Sequence, residues 1–201
     1  MIVIGITGGV GAGKSEILAY IKEHYNCQVI LADEVAHQVE EPGQKCYGEL
    51  VALLGENILN PDGTIQKAKM AEKIFADKDV LEKVNDIVHP AVKEFIVQEI
   101  ADRKAEGKLD FLFIEAALLI EDGYGQIVDE LWYIYTRTEI RRERLKVSRA
   151  YSDEKIDQIL QKQLAEEVFR QHCKVVIDNS GRLEEACKQI DEKLGDYLCQ
   201  I

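Results

Sequence analysis

The chain has 201 residues and a formal net charge of −12 at pH 7, and 46% of its residues are hydrophobic. This length suits one full hydrophobic core with a small inserted subdomain. The acidic charge disfavours nucleic acid as the main partner, because nucleic-acid-binding proteins are usually basic. No apolar run reaches the roughly 20 residues that cross a bilayer, so we expect no membrane association.

The N-terminus and the cysteines both favour a cytoplasmic protein. The first apolar stretch lacks the basic region of a secretory signal and runs directly into a glycine-rich loop. The cysteines are odd in number, scattered and without C-x-x-C spacing. This usage favours reduced thiols over disulfides or zinc ligands at Cys27, Cys46, Cys173, Cys187 and Cys199.

The first predicted strand, residues 2–7, leads into Gly8-Gly9-Val10-Gly11-Ala12-Gly13-Lys14-Ser15, which fits the phosphate-loop pattern G-x-x-x-x-G-K-[ST]. A helix-like segment, residues 16–23, follows, so the motif has the strand–loop–helix context that it requires. The loop amides can surround a phosphate group, Lys14 can reach the β- and γ-phosphates, and the Ser15 hydroxyl can ligate Mg²⁺. The sequence therefore predicts binding of a nucleoside triphosphate.

Asp33 directly follows the second predicted strand, residues 28–32. We therefore expect its carboxylate near the phosphate loop, at the carboxyl edge of the sheet. There it can accept a proton from an attacking hydroxyl or orient that hydroxyl. Aspartate is also favoured as a helix N-cap, and residues 34–39 are helix-like, so the spacing leaves both roles open.

More than seventy residues separate the second strand from the third, which is more than a simple crossover requires. Most of them have a helical pattern, so we predict a helical insertion over residues 34–109 that covers one side of the site. His89 precedes Pro90 in this insertion, and a histidine there is more often a structural cap than a ligand. By its residue type alone, Lys67 is a surface residue.

The third predicted strand, residues 110–114, is apolar and is followed by Glu115. An apolar strand that ends in a carboxylate is the Walker B pattern, in which the acid helps to hold Mg²⁺ through water. Many strands end in an acid by accident, so this signal gains its weight from the phosphate loop.

The fourth predicted strand, residues 131–135, precedes the basic cluster of this acidic chain: Arg137, Arg141, Arg142, Arg144, Lys146 and Arg149. An arginine supplied to a transferring phosphoryl group can raise the rate about 10³-fold or more. We therefore predict a mobile lid over residues 137–165 that closes over ATP and excludes water. On a helix Arg137, Arg141 and Arg144 share a face, and we expect two or three of the arginines to be functional.

The alternative for this cluster is a solvated helix with ion pairs within the helix, joining Glu139 to Arg142 or Glu143 to Lys146.

The fifth predicted strand, residues 174–177, ends before the turn Asn179-Ser180-Gly181, whose backbone can contact a base. Apolar strands separated by helices predict an α/β fold with a five-stranded parallel sheet flanked by helices. Its core strands come from residues 1–33, 110–136 and 174–201.

Taken together, these motifs resemble the dephospho-CoA kinase family over nearly the whole chain. The shared features, in order, are residues 5–15, Asp33, His89-Pro90, Arg144 with Arg149, Gln163 and residues 177–181. The resemblance implies a single P-loop kinase domain over residues 1–201, with an acceptor-binding insertion and an arginine-rich lid. It implies transfer of a phosphoryl group from ATP, with Mg²⁺, to the ribose 3′-hydroxyl of dephospho-CoA, giving coenzyme A and ADP.

The same resemblance implies roles for individual residues. Asp33 would be the base or orienting group, and Lys14 and Arg144 would be the other catalytic residues. ATP would contact Gly9, Gly11, Ala12, Gly13, Lys14, Ser15, Glu16, Arg144, Arg149 and Asn179. The acceptor would contact Thr7, Asp33, Lys67, His89 and Glu115. Ser15 would ligate Mg²⁺, with Glu115 acting through water.

The chain departs from the family pattern at six positions, several of them on the expected acceptor side. Thr, Asp, Arg, Asp, Pro and Arg are usual in the family at the positions of Glu16, Leu31, Lys67, Glu115, Ala117 and Ile159. Two alternatives stay open: another small-molecule or nucleoside monophosphate kinase, and a non-catalytic ATP-binding regulatory module. The insertion is poor in arginine, which disfavours a nucleoside monophosphate kinase, and no Asn-Lys-x-Asp motif of a GTPase is present.

Overall fold

The computed structural model describes residues 1–199, in which strands and helices alternate around a central sheet. The strands are β1 (Ile2–Thr7), β2 (Cys27–Leu31), β3 (Phe111–Glu115), β4 (Glu130–Tyr135) and β5 (Val175–Asp178). The helices before β3 are α1 (Lys14–His24), α2 (Ala32–Val39), α3 (Tyr47–Leu54), α4 (Lys67–Ala76) and α5 (Lys78–Glu106). The later helices are α6 (Thr138–Arg149), α7 (Asp153–Gln161), α8 (Glu166–His172) and α9 (Leu183–Leu198).

The five strands form one parallel sheet in the order β2-β3-β1-β4-β5. This confirms the predicted sheet, and each predicted strand end differs from the observed one by at most one residue. The register pairs Ile6 of β1 with Glu115 of β3, and Thr7 with Tyr133 of β4. Because these strands are parallel, the segments that follow β1, β3, β4 and β5 leave the sheet at the same edge.

The central strands are apolar because the sheet is buried on both faces. Four consecutive residues of β3, Phe111 to Ile114, have no exposed surface, and neither do Val3, Ile4 and Ile6 of β1. Helix α9 packs against α1 and β5, and α8 packs against β4. Helices α1 and α9 contribute fully buried isoleucine and leucine side chains to this core. The core thereby fixes the strand ends from which the site is built.

The chain divides into two compact units. One unit is Met1–Val29 together with the chain from Glu106 onward, and the other is Ile30–Ala105. The second unit contains α2 to α5 and has its own buried core, in which Leu50, Ile58 and Ile96 are fully buried. The predicted acceptor role of residues 34–109 stays a prediction.

Two further properties concern the cysteine thiols and the length and polarity of the helices. The five cysteines carry free thiols, and burial raises the pKa of Cys173 to about 12. Among residues 1–199, the helices are either too short or too polar to span a membrane.

A matched pair on α5 tests the core of the second unit. We expect Ile96→Ala to lower the free energy of unfolding by about 2–5 kcal/mol, because Ile96 is fully buried and its removal leaves a cavity. The neighbouring change Val97→Ala should cost less than about 1 kcal/mol, because that side chain is 44% exposed. Urea titrations followed by circular dichroism measure both, and equal losses would contradict the assigned burial.

Candidate active site

The phosphate loop joins the carboxyl end of β1 to the amino end of α1. Gly13 is the N-cap of α1 and has φ = 85°, in the left-handed region that favours glycine. A Cβ on Gly13 would also lie 2.4 Å from the Asn179 side-chain nitrogen. The unpaired amides and the dipole at the first turn of a helix attract anions. The loop therefore presents the amino end of α1 to a phosphate group, as the motif predicts.

Side chains from outside the loop hold it in place through one backbone carbonyl, that of Ala12. This carbonyl accepts hydrogen bonds from the Asn179 side-chain amide at 2.8 Å and the Arg144 guanidinium at 3.4 Å. The Thr136 hydroxyl lies 3.0 Å from it and shares its one proton between this carbonyl and that of Tyr135, at 2.8 Å. The peptide unit is planar and trans, so fixing this carbonyl directs the Gly13 N–H to the opposite side. The side chains that follow β4 and β5 thus orient a donor of the phosphate-binding loop.

Lys14 is held at the edge of the loop by two oxygen partners. Its ammonium donates to the Gly8 carbonyl at 2.9 Å and lies 3.3 Å from the carboxylate of Glu115. Both side chains are largely buried, with 16% and 18% of their surface exposed. A partly buried ion pair is screened less than a surface pair. These two contacts orient the Lys14 side chain beside the loop.

Two buried polar atoms at this edge have no hydrogen-bond partner within residues 1–199: the Thr7 hydroxyl oxygen and the Asn179 carbonyl oxygen Oδ1. Thr7 is 1% exposed and Asn179 is 3% exposed. An unsatisfied buried polar atom costs about 1–3 kcal/mol, so each needs a compensating partner such as a ligand or a water molecule. Both atoms belong to residues that the sequence predicts for the site.

Helix α6 brings two arginines to the loop. Arg144 donates to the Asn179 carbonyl at 2.9 Å as well as to Ala12. Arg141 donates to the Val10 carbonyl at 2.9 Å and to the side-chain oxygen of Gln163. Arg137 lies at the N-cap position of α6 with an exposed side chain. Two members of the predicted arginine face therefore reach the loop.

The remaining basic residues of α6 make other contacts. Arg142 pairs with Asp153 and Asp157 of α7, and Lys146 pairs with Asp153. These pairs join two helices, so the alternative of ion pairs within α6 is wrong for both residues. Arg149 is exposed, and its guanidinium lies 6.0 Å from the ring centre of Tyr151. The predicted contact of Arg149 with ATP stays a prediction.

Ser15 and Glu16 occupy the first turn of α1, and both are exposed. A hydroxyl there and the Glu115 carboxylate at the end of the adjacent strand are hard oxygen donors of the kind that Mg²⁺ prefers. No cluster of three or more His, Cys, Asp or Glu side chains suited to a metal occurs in the described part of the chain. This donor set fits Mg²⁺, which usually takes one or two protein ligands together with substrate phosphates.

Three predicted residues belong to the second unit. Asp33 is exposed in the first turn of α2, whose N-cap is Leu31, so the alternative that Asp33 is the N-cap is wrong. His89 lies inside α5, next to Pro90, and is half-buried; it does not cap a helix end. Lys67 is the exposed first residue of α4. Its charge, after that of His37, partly offsets the burial that raises the pKa of Glu40.

One site residue was missed by sequence reasoning. Thr136 directly follows β4 and is 3% exposed, with its hydroxyl on the Ala12 carbonyl. Asp33, Glu115 and Asn179 were selected because polar residues follow apolar strands. The same criterion, applied to the fourth predicted strand, identifies Thr136.

Loops anchored in this way, with a lysine facing a strand-end carboxylate and arginines supplied by a later helix, are typical of P-loop kinases. The sequence comparisons are more specific. A family model described as "Dephospho-CoA kinase" matches residues 2–185. The chain belongs to the dephospho-CoA kinase family.

Curated relatives agree over almost their whole length. The dephospho-CoA kinase of Geobacter sulfurreducens is 35% identical over 192 residues, which cover 96% of this chain and 96% of the relative. That of Aquifex aeolicus is 35% identical over 188 residues and covers 93% of both chains.

Solved structures support the same fold. A crystal structure from Thermus thermophilus has a TM-score of 0.77 at 25% identity and covers 97% of both chains. Dephospho-CoA kinase from Campylobacter jejuni has a TM-score of 0.73 at 20% identity, over 96% of this chain and 98% of that one. Shikimate kinase from Acinetobacter baumannii, with a TM-score of 0.51 at 15% identity over 98% and 94% of the two chains, shares the fold.

The Asn179 side chain provides a test of the loop anchor. We expect Asn179→Asp to weaken Mg·ATP binding at least about tenfold, because a carboxylate cannot donate to the Ala12 carbonyl and a lost buried hydrogen bond costs about 1–3 kcal/mol. Isothermal titration with Mg·ATP measures the change. The matched control is Asp178→Asn, an exposed neighbour whose side chain accepts from the Ser180 amide and can still do so as asparagine. Unchanged ATP affinity in Asn179→Asp would refute the anchor.

Proposed function

We propose that this protein transfers the γ-phosphoryl group of ATP to the ribose 3′-hydroxyl of dephospho-CoA, giving coenzyme A and ADP, the last step of coenzyme A synthesis. The family match over residues 2–185 carries this proposal. The anchored phosphate loop and the placement of Lys14 support it from the side of the nucleotide.

The nucleotide side follows from the contacts of the loop. The phosphates of ATP lie against the loop from Gly9 to Gly13 and the first turn of α1, where backbone N–H groups donate to them. Lys14 turns from Glu115 toward the β- and γ-phosphates and neutralises charge there. Arg144 already touches the loop backbone, so a small side-chain movement brings its guanidinium onto the phosphates. Asn179, Glu16 and Arg149 complete the proposed contacts with ATP.

In the transfer step, the ribose 3′-oxygen forms a bond to the γ-phosphorus, and the bond from that phosphorus to the bridging oxygen of ADP breaks. The hydroxyl proton leaves to the carboxylate of Asp33 or, through it, to solvent. Phosphoryl transfer depends mainly on positioning and on charge stabilisation. We therefore assign Asp33 chiefly to orienting the hydroxyl, with proton acceptance as its second role.

Ser15 and Glu115 would hold Mg²⁺ in this reaction, Ser15 directly and Glu115 through water. The chemistry that Mg²⁺ would supply there is positive charge, which would offset the negative charge that develops on the phosphates. The same carboxylate of Glu115 lies 3.3 Å from the Lys14 ammonium and so also orients the lysine. Glu115 thus serves the lysine and the metal in turn.

On the acceptor side we propose Thr7, Asp33, Lys67, His89 and Glu115. The unsatisfied hydroxyl of Thr7, at the carboxyl end of β1, supports its part in the set. The exposed carboxylate of Asp33 and the exposed ammonium of Lys67 are free to meet a polar, phosphate-bearing substrate. Lysine in place of arginine at residue 67 keeps the charge and loses the bidentate fork.

We propose that the protein works in the cytoplasm on small molecules, without nucleic acid or membrane partners. The five free thiols support a reducing compartment. The net charge of −12 disfavours a polyanionic partner. The family match favours dephospho-CoA over a nucleoside monophosphate as the acceptor, and it favours an enzyme over an ATP-binding regulatory module.

An acceptor panel tests the proposed reaction. We expect dephospho-CoA to stimulate ADP release from Mg·ATP, and nucleoside monophosphates to leave release at the basal rate. A dephospho-CoA analogue without the ribose 3′-hydroxyl should bind and fail to stimulate, because it lacks the attacking oxygen. Coupled detection of ADP, with mass spectrometry of the product, measures both. Stimulation by a monophosphate alone would identify the alternative kinase, and no stimulation by any acceptor would favour the regulatory module.

The assignment of Asp33 has its own test. We expect Asp33→Asn to lower kcat at least about a hundredfold, the scale of a positioned acid–base group, while leaving ATP affinity nearly unchanged. Glu34→Gln is the matched control, because Glu34 is the adjacent exposed carboxylate in the same first turn of α2. Steady-state turnover and ATP titration measure the two quantities. Equal turnover in the two variants would remove Asp33 from the mechanism.

A further inference from the structure

Arg141 is the most deeply placed arginine near the phosphate loop, and the transfer step described above does not use it. Its Nε donates to the Val10 carbonyl at 2.9 Å, and a terminal nitrogen donates to the side-chain oxygen of Gln163. Gln163 lies in the connection between α7 and α8. One guanidinium therefore joins three segments: the loop, helix α6 and the α7–α8 connection.

The guanidinium also lies against the backbone of the loop. A Cβ on Gly9 would lie 2.3 Å from one Arg141 nitrogen and 2.4 Å from its central carbon. Gly9 does not have a positive φ, so a methyl group there would not strain the backbone but would make the Arg141 guanidinium shift from its present place. Burial lowers the pKa of Arg141 from its ordinary value, which leaves the group charged at neutral pH.

The contact with Val10 has a consequence for the amide that follows it. The Val10 carbonyl and the Gly11 N–H belong to one planar, trans peptide and point in opposite directions. Fixing the carbonyl on Arg141 therefore directs the Gly11 N–H away from Arg141. The Ala12 carbonyl is held in the same manner by Asn179, Thr136 and Arg144, which directs the Gly13 N–H. The Gly11 and Gly13 amides of the loop are thus oriented by side chains that lie outside the loop.

We propose that Arg141 is a positioning residue for ATP. Through its fork of hydrogen bonds to Val10 and Gln163, it sets the orientation of the Gly11 amide and ties that orientation to the segment of residues 137–165. Because its Nε and a terminal nitrogen are bonded to protein oxygens, this action on the loop backbone requires no contact between Arg141 and the phosphates. This role deepens the proposed function and rests on it for ATP as the bound nucleotide.

The alternative is that Arg141 simply adds positive charge near the triphosphate, in which case any cation at this position suffices. A lysine retains the charge but lacks the planar fork that bonds two oxygens in fixed directions. The pair Arg141→Gln and Arg141→Lys therefore separates the two explanations. Arg142→Gln is the matched control, because it removes the same charge from the next residue of α6, whose partners are Asp153 and Asp157.

The first measurement is the dissociation constant of Mg·ATP in the absence of any acceptor, by isothermal titration. We expect both Arg141 variants to bind about 10- to 100-fold more weakly, the scale for losing buried hydrogen bonds of a charged group, and Arg142→Gln to bind as the parent does. The KM for ATP should rise in step, while the KM for dephospho-CoA and the melting temperature stay near the parent values. Parent-like affinity in Arg141→Lys would establish the charge explanation and overturn the proposal.

A second set of variants keeps the test valid if Arg141→Gln folds poorly. Gly9→Ala inserts a methyl group where the guanidinium lies, so we expect it to displace the fork and weaken ATP binding in the parent, and to do so much less when Arg141 is already lysine, which lacks the fork. Residues in direct contact show such non-additivity, by factors of about 2 to 150. Effects that multiply independently would overturn the proposal. Because ATP binding needs no acceptor, these results stay distinguishable from a failure of dephospho-CoA as substrate.

Discussion

The hydrogen bonds to the Ala12 carbonyl are the constraint on which the site depends. Glycine makes the phosphate loop flexible enough to approach a phosphate, and the same freedom would let its amides point elsewhere. The structure removes that freedom from outside the loop, with Asn179 after β5, Thr136 after β4 and Arg144 on α6. Because parallel strands end at one edge, the sheet brings donors that are distant in sequence to a single oxygen. The arrangement of the strands in the sheet thus determines which side chains fix the conformation of the loop.

The opposite side of the loop depends on a charge pair. Lys14 contacts a neutral acceptor, the Gly8 carbonyl, and a charged one, the Glu115 carboxylate. Gly8 follows β1 and Glu115 ends the paired strand β3, so each of these two strands places one acceptor. A glutamate side chain is one methylene longer than that of aspartate, so the Glu115 carboxylate extends beyond the end of β3 to reach the lysine. A weak surface pair would leave the lysine mobile, but burial of both groups lowers that freedom.

The sequence predicted the fold well because its signals are local. Apolar runs of five or six residues between helical segments are buried strands, and the phosphate-loop motif fixes the first strand, turn and helix together. The Asp33 cap and the ion pairs within α6 were less predictable, because more than one local pattern fits the same residues. Helix α2 begins at Ala32, one residue before the expected cap at Asp33. The acids that pair with Arg142 lie on α7 and not on α6 itself. The contacts of Arg141 and Thr136 were beyond local reasoning, since they join residues more than a hundred positions apart.

The arginine cluster shows how one helix serves two purposes. The arginines that face the loop, Arg141 and Arg144, donate to backbone oxygens with part or most of their surface buried. Arg142 and Lys146 pair with exposed carboxylates of α7, where salt screens the attraction and solvent-exposed pairs contribute little to stability. The contact of α6 with the loop is therefore the stronger and more directional of the two, and the contact with α7 is weak enough to rearrange. The buried side of α6 thus holds Arg141 and Arg144 on the loop backbone, and movement of α7 as part of a lid over residues 137–165 stays a prediction.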